Sequence, residues 1–357
     1  MPDHDVIVVG GGPAGASTAI TCARNGLNTL LVERGGRRRH KPCGGILPNV
    51  CAELITEHFG IEIPDEAFSR PRSLGLFYVP PSGGVNGGKI RGYRLISVYR
   101  DILDEALRTA AAAESGVEVL LETSLRDFKE EGGIEATLTG SDGGIRKVTA
   151  RALVGADGVN STVGRQIYGA EDRKLYVHQE HVEAQGDIGD NFYAFFRGDI
   201  SPSYGYVLPR GGLLVMGVGV PAESLGADPD PIAPLKRWLS EEFDYREERV
   251  EIREVWPIPY GFSRIGRGSV LLVGDAAGLC NPLSGEGIRW AVESGAAAGE
   301  AIATAGLEGS APGEVYGEEI VQMQRILGRI YGFTVSLSDD GREVFVKEEL
   351  RRLSVVQ

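Results

Sequence analysis

Asp5-Val-Ile-Val-Val-Gly-Gly-Gly-Pro-Ala-Gly-Ala-Ser-Thr-Ala-Ile-Thr-Cys-Ala-Arg-Asn-Gly-Leu-Asn-Thr-Leu-Leu-Val-Glu33 decides the fold. Its first five residues form a β-branched run closed by three glycines, the signature of a strand buried on both faces of a parallel sheet. Pro13 to Asn25 is small-residue and helical in spacing, and Gly26 stops it. Leu27 to Glu33 reads as a second strand, which completes a βαβ unit. At the first turn, Gly10, Gly12 and Gly15 spell GxGxxG, followed by Glu33 at the end of the second strand. Gly10 permits the tight turn, Gly12 lets the backbone approach a pyrophosphate, and Gly15 lets helix and strand pack closely. Pro13 and Ala14 open a helix whose free N–H groups and dipole attract an anion. Glu33 is placed to accept hydrogen bonds from ribose hydroxyls.

Outward from this unit, Tyr99 to Glu114 reads as a helix with an apolar face of Ile102, Leu103, Ala106 and Leu107. Val117 to Leu121, Phe128 to Leu138, Lys147 to Gly155 and Ser269 to Val273 read as strands. Gly287 to Thr304 reads as a helix. Leu74 to Arg94 and Lys174 to Glu254 alternate polar and apolar residues with frequent Gly and Pro, the texture of an antiparallel sheet. The expected architecture is α/β: a discontinuous Rossmann-like nucleotide-binding domain with a parallel sheet (1–73, 95–173 and 255–312), an inserted antiparallel-sheet substrate domain (74–94 and 174–254) and a C-terminal helical segment (313–357). Gly217-Val-Gly-Val-Pro-Ala222 also spells GxGxxA, but Pro221, Pro229, Pro231 and Pro234 break any following helix, so it reads as strand and turn.

The composition narrows the function. The 357 residues carry 51 glycines, about double the usual share, with no collagen period. A net charge of −13 argues against a nucleic-acid partner. Four scattered cysteines (Cys22, Cys43, Cys51, Cys280) point to a reducing cytoplasm rather than a disulfide framework. No apolar run spans a membrane and no signal peptide is read at the N-terminus. The five histidines show no metal-ligand spacing, so no metal site is expected.

Two further Gly-rich turns follow strands: Gly155-Ala-Asp157-Gly158, and Gly274-Asp275-Ala-Ala-Gly278 running into Asn281-Pro282-Leu-Ser-Gly285-Glu-Gly287-Ile288. Arg100 starts the helix after Ser97-Val98-Tyr99. With the first turn, these motifs resemble the flavoproteins of the para-hydroxybenzoate hydroxylase fold over about residues 1–310, and within them the geranylgeranyl reductase family. The resemblance implies FAD. It places Asp275 on a ribityl hydroxyl, and Gly285, Gly287 and Ile288, after Pro282, at the pyrimidine end of the flavin. Arg100 falls at the phosphate or ribityl region, and Asp157 and Gly158 on the pyrophosphate side. Lys41-Pro42-Cys43-Gly44-Gly45 resembles the family's Cys-Gly-Gly segment, which lies near the flavin.

The family's aromatic motif PxxYxWxFP has a weaker counterpart in Tyr204-Gly-Tyr206-Val-Leu-Pro209, where Tyr206 stands for Trp and Leu208 for Phe. Cys43, Tyr204 and Tyr206 are the candidate proton donors. The implied reaction is hydride transfer from reduced FAD to a C=C bond of a polyprenyl chain, on a prenylated lipid or isoprenoid diphosphate. An aromatic monooxygenase or halogenase of the same fold is the alternative, and a pocketless electron carrier a third. The basic run Arg34, Arg37, Arg38, Arg39, His40, Lys41 reads as a solvated loop, a phosphate clasp, a peripheral membrane contact or a dock for a ferredoxin; NADPH is the other donor considered. The chain also reads as short at its C-terminus for the family, and the expectation is either an abbreviated channel end or one closed by a membrane or a second subunit.

Overall fold

The computed structural model describes residues 1–185, 188–226 and 229–352. In chain order the strands are β1 (Val6–Val9), β2 (Thr29–Val32), β3 (Ile46–Pro48), β4 (Phe68–Val79), β5 (Gly88–Val98), β6 (Val117–Leu120), β7 (Thr123–Glu130), β8 (Ile134–Gly140), β9 (Ile145–Ala150), β10 (Ala152–Gly155), β11 (Lys174–Gln185), β12 (Asn191–Phe195), β13 (Gly205–Arg210), β14 (Leu213–Pro221), β15 (Arg246–Pro259), β16 (Gly266–Arg267) and β17 (Val270–Leu272). The helices are α1 (Pro13–Arg24), α2 (Asn49–Phe59), α3 (Arg100–Ala113), α4 (Thr162–Tyr168), α5 (Ala233–Phe243), α6 (Ile288–Glu308), α7 (Pro312–Ser336) and α8 (Asp339–Arg352).

Apolar β-branched strands bury both faces, and the first sheet is built from them. Its order is β16-β17-β10-β1-β2-β6. The ladders β1–β2, β1–β10, β2–β6 and β10–β17 are all parallel. α1 and α6 cross over its face, in contact through small residues: a Cβ on Gly295 would stand 2.3 Å from the Ala14 carbonyl oxygen. The second sheet is ordered β15-β11-β14-β13-β12-β4-β5-β3. It is antiparallel except for β12 on β4. Between those two strands the chain passes through β6 and β10 of the first sheet, so a crossover rather than a hairpin joins them.

Several local readings change. Phe128 to Leu138 is not one strand but a hairpin, β7 and β8, turning through Gly132 and Gly133, both at positive φ. Lys147 to Gly155 splits at Arg151: β9 completes the small β7-β8-β9 sheet, while β10 enters the parallel sheet. The split follows burial, because β10 is buried throughout and β9 alternates near its end. The β4–β5 ladder runs from Phe68 to Val98, past the expected limits of 74 and 94. β15 extends to Pro259, beyond the expected Glu254. α2 was not read at all, and Gly217 to Pro221 runs as strand in β14. α3 buries a charged stripe, Arg100, Asp104 and Arg108, beside Leu103 and Leu107, while Ile102 and Ala106 are only half-buried. Of the C-terminal segment, 353–357 lie outside the described residues.

Candidate functional site

The three Gly-rich turns converge on one cavity of about 610 Å³ between the two large sheets. Gly10, Gly12, Pro13, Ala14 and Glu33 line it from the first unit, and Asp157, Gly158, Asp275, Gly285, Gly287 and Ile288 from the later turns. Arg34, Cys43, Gly44, Gly45, Arg100, Tyr204 and Tyr206 line it too. Gly15 and Pro282 stand behind the wall. A Cβ on Gly15 would lie 1.8 Å from the Gly10 carbonyl oxygen, and Gly10 itself sits at φ +106°. Only glycine lets helix and turn approach this closely.

The first turn is held by two groups. Glu33 Oε2 accepts the Gly11 N–H at 2.8 Å and Oε1 accepts that of Gly35 at 2.7 Å. Arg108 Nη1 donates to the Gly11 carbonyl at 2.9 Å. Arg100, Asp104 and Arg108 follow one another at one helical turn. Arg100 donates in bidentate fashion to Asp104, Nε to Oδ1 at 3.0 Å and Nη2 to Oδ2 at 3.2 Å. Arg39 Nη2 donates to the same Oδ2 at 3.1 Å. Sequence reading missed Asp104 and Arg108; charged residues at i, i+4 and i+8 on a buried helix face were the available signal.

The basic run is largely neutralised from within. Arg37 and Arg38 pair with Glu105, Arg39 with Glu33 and Asp104, His40 with Glu254, and Lys41 with Asp275 at 3.3 Å. Each of these side chains thus has a carboxylate partner, while Arg37, Arg38 and His40 stay more than half exposed to solvent. Arg34 is exposed on the cavity rim.

Asp157 closes the second turn: its Oδ2 accepts the N–H of Thr162 at 2.6 Å, and Ser161 Oγ donates to Oδ1 at 2.5 Å and caps α4. Burial raises the Asp157 carboxyl, against these hydrogen bonds.

The Cys-Gly-Gly segment is fixed by Arg210, which was also missed. Arg210 is buried at the end of β13 and donates to the carbonyls of Cys43 (3.3 Å), Gly44 and Val98 (3.3 Å). The period of two that puts Tyr206 and Leu208 on one face puts Arg210 there too. Burial pushes the Cys43 thiol up, but the Arg100 charge, the Gly45 N–H at 3.2 Å and Lys41 together overturn that and hold it below its ordinary value. The other cavity thiols go the opposite way. Burial lifts Cys51 to about 12 and Cys280 well up.

Next to Cys43 the cavity opens into a chamber of Tyr78, Tyr93, Phe192, Tyr204, Tyr206 and Trp256. Tyr204 OH donates to the Ser284 carbonyl at 2.5 Å, and Tyr206 OH to Gln179 Oε1 at 2.5 Å. Burial holds both phenols well above the usual tyrosine range. Glu286 also faces the cavity. One of its oxygens is buried without a hydrogen bond, and burial raises its carboxyl. α8 packs behind the chamber through Phe345, Val346 and Leu350, and Arg342 ties it to the Ser203 and Pro202 carbonyls at 2.8 and 2.7 Å.

An extended dinucleotide fits this lining. α1 starts with no side-chain cap, so its first N–H groups remain for a pyrophosphate. A Cβ on Gly158 would meet nothing within 4 Å, and one on Gly12 only Arg39 Nη2 at 3.1 Å, so the wall is open where phosphates must approach. The aromatic chamber lies at the far end. Among the described residues no cluster fits a metal ion.

Comparison with known proteins gives the same reading. Residues 3–187 match the family described as "FAD binding domain". The chain is 31% identical over 378 aligned residues to the chloroplastic geranylgeranyl diphosphate reductase of Oryza sativa subsp. japonica, covering 99% of this chain and 77% of the relative. It is 32% identical to the digeranylgeranylglycerophospholipid reductase of Methanothrix thermoacetophila, covering 94% and 88%. The structure of a geranylgeranyl bacteriochlorophyll reductase-like protein from Thermoplasma acidophilum superposes with a TM-score of 0.80 at 21% identity, over 99% of this chain and 96% of that one. A myxobacterial chondrochloren halogenase superposes with 0.75 at 19%, over 99% and 91%, a likeness of fold alone. FAD is the cofactor.

Proposed function

The chain belongs to the geranylgeranyl reductase family of FAD-dependent oxidoreductases, and from that premise we propose that it saturates C=C bonds of a polyprenyl chain borne on a lipid or a diphosphate. The observation that carries this reading is the Cys43 thiol, held below its ordinary value at the junction of the dinucleotide cavity and an aromatic chamber. Bound and reduced FAD supplies a hydride. The protein must also deliver a proton to the other alkene carbon and keep water out.

Of the three expected donors, Cys43 fits the task. A thiol lowered by Arg100 and Lys41 releases its proton more readily, and the same cations stabilise the thiolate left behind. Tyr204 and Tyr206 have raised phenols whose hydrogens already go to Ser284 and Gln179, so they act as walls. Lys41 holds Asp275 at the ribityl position. The uncapped N-terminus of α6 at Gly287 and Ile288 places a positive dipole end beside the pyrimidine edge. Arg100, Gly44 and Gly45 would border the flavin when it is bound, and Glu33 and Arg34 the adenosine half. Electrons come from an external donor, a reduced ferredoxin or NADPH. A lipid-borne substrate brings the protein to a membrane as a peripheral visitor; among the described residues no helix is long and apolar enough to cross one.

The test is anaerobic turnover of the FAD-loaded protein with dithionite and geranylgeranyl diphosphate or a geranylgeranylated glycerolipid, read by mass spectrometry. A gain of two hydrogens per double bond without O₂ is the expected result. No gain on either substrate, together with O₂-dependent hydroxylation or halogenation of an aromatic, overturns the reading.

A further inference from the structure

Tyr206 lines the cavity and is held in place by several neighbours. Its ring stacks on Phe192, with centroids 5.8 Å apart and planes at 13°. On β14 a Cβ at Gly217 would lie 2.4 Å from the ring, so only glycine leaves room for it. Toward the Cys-Gly-Gly segment, a Cβ on Gly44 would lie 3.9 Å from Cε2. The hydroxyl donates to Gln179 Oε1.

Gln179 has no freedom to turn its amide. Its Nε2 donates to Glu254 Oε1 at 2.6 Å and lies 3.2 Å from His181 Nε2. The reversed amide would aim its oxygen at the Glu254 carboxylate. His40 closes the far side, with Nε2 2.7 Å from Glu254 Oε2. The Tyr206 hydrogen is thus committed away from the chamber, toward an amide polarised by a carboxylate. Such a chain draws electron density into the phenol ring. Three of the other chamber aromatics differ. Trp256 already has Lys41 over its ring at 5.6 Å, Tyr204 donates to a backbone carbonyl, and Phe192 has no hydroxyl.

We propose that the Tyr206 ring carries the positive charge that develops on the alkene carbon receiving the hydride, with Gln179 and Glu254 as the positioning residues that fix and enrich the ring. The proposal rests on the polyprenyl reading above. When the Cys43 proton adds to one alkene carbon, the π pair forms that C–H bond and leaves its neighbour electron-poor. A hydride then completes the second C–H bond. The two electrons that leave reduced FAD with it are replaced by an external iron–sulfur or nicotinamide donor, and the thiolate regains its proton from water. An electron-rich ring face stabilises the intervening cation.

The experiment measures binding by calorimetry to the FAD-loaded protein. The probes are a polyprenyl amine, whose tertiary ammonium replaces an alkene carbon, and its neutral hydrocarbon isostere. The unmodified protein should bind the ammonium at least about tenfold more tightly. Tyr206→Phe, which keeps the ring and loses the hydroxyl bond to Gln179, should give an intermediate preference. Tyr206→Leu should abolish it, with neutral binding held within about threefold. Gln179→Leu and Glu254→Gln should give intermediate preferences at unchanged flavin content. Binding of both probes without preference, or a preference that survives Tyr206→Leu, overturns the proposal alone. Failure of both probes to bind overturns the polyprenyl reading as well.

Discussion

Arg210 Nη1, at the end of β13, donates to the main-chain oxygen of Cys43 across 3.3 Å. The same guanidinium also reaches the oxygens of Gly44 and Val98. One strand therefore carries both the chamber wall, Tyr206, and the clamp that fixes the Cys43 segment. Gly45, at φ +61°, leaves the space the clamp needs, because a Cβ there would lie 2.0 Å from Arg210 Nη2.

Arg210→Met should destabilise the protein by about 2–4 kcal/mol, because several buried carbonyls lose their donor at once. Urea unfolding measures this. Arg210→Lys should restore part of the loss, and an unchanged midpoint for Arg210→Met would show that the carbonyls find other donors.

Gly15→Ala should weaken FAD binding by about 10- to 100-fold, since overpacking costs about 1–3 kcal/mol and the intruding methyl would press on Gly10. Titration of the apoprotein with FAD, followed by flavin fluorescence, checks this. Gly328→Ala in α7 serves as a control, because a Cβ there meets nothing and the backbone is helical.

Cys43 should be alkylated by iodoacetamide in the apoprotein with a midpoint below the ordinary 9.0. Cys22 and Cys51, both lifted to about 12 by burial, should stay silent. The thiolate fraction rises with pH, so alkylation speeds up while proton donation by the thiol falls through the same midpoint. Arg100→Gln should move that midpoint upward. Cys43→Ser should retain FAD and lose about 100-fold or more in hydrogenation, the low end for general acid catalysis.

Glu286 supplies a pH test of stability. Burial raises its carboxyl in the folded state above the ordinary 4.5, with Glu293 adding to the rise and Arg289 opposing it. The native protein then binds more protons than the unfolded chain between 4.5 and the raised value, so this group costs stability as pH rises through that window. Glu286→Gln should gain stability relative to the parent as pH climbs from 4 to 8, read as a growing difference in thermal midpoint. A pH-independent difference would show that the carboxyl ionises freely.

The sequence by itself determined the nucleotide-binding half. Backbone-driven features are local: a β-branched run, a glycine at each tight turn and the helix that follows lie within thirty residues of one another, and their order alone specifies the βαβ unit and its anion site. Cys43, Tyr204 and Tyr206 were legible through the family's spacing. Only the tertiary structure shows how the three differ, because the charges around Cys43 are brought from α3 and the two tyrosine hydroxyls bond Gln179 and Ser284. It likewise decided the fate of the basic run, whose carboxylate partners lie at Glu33, Asp104, Glu105, Glu254 and Asp275. Electrostatics is set by distance in space, and chain separations of up to more than two hundred residues vanish once two sheets fold around one cavity.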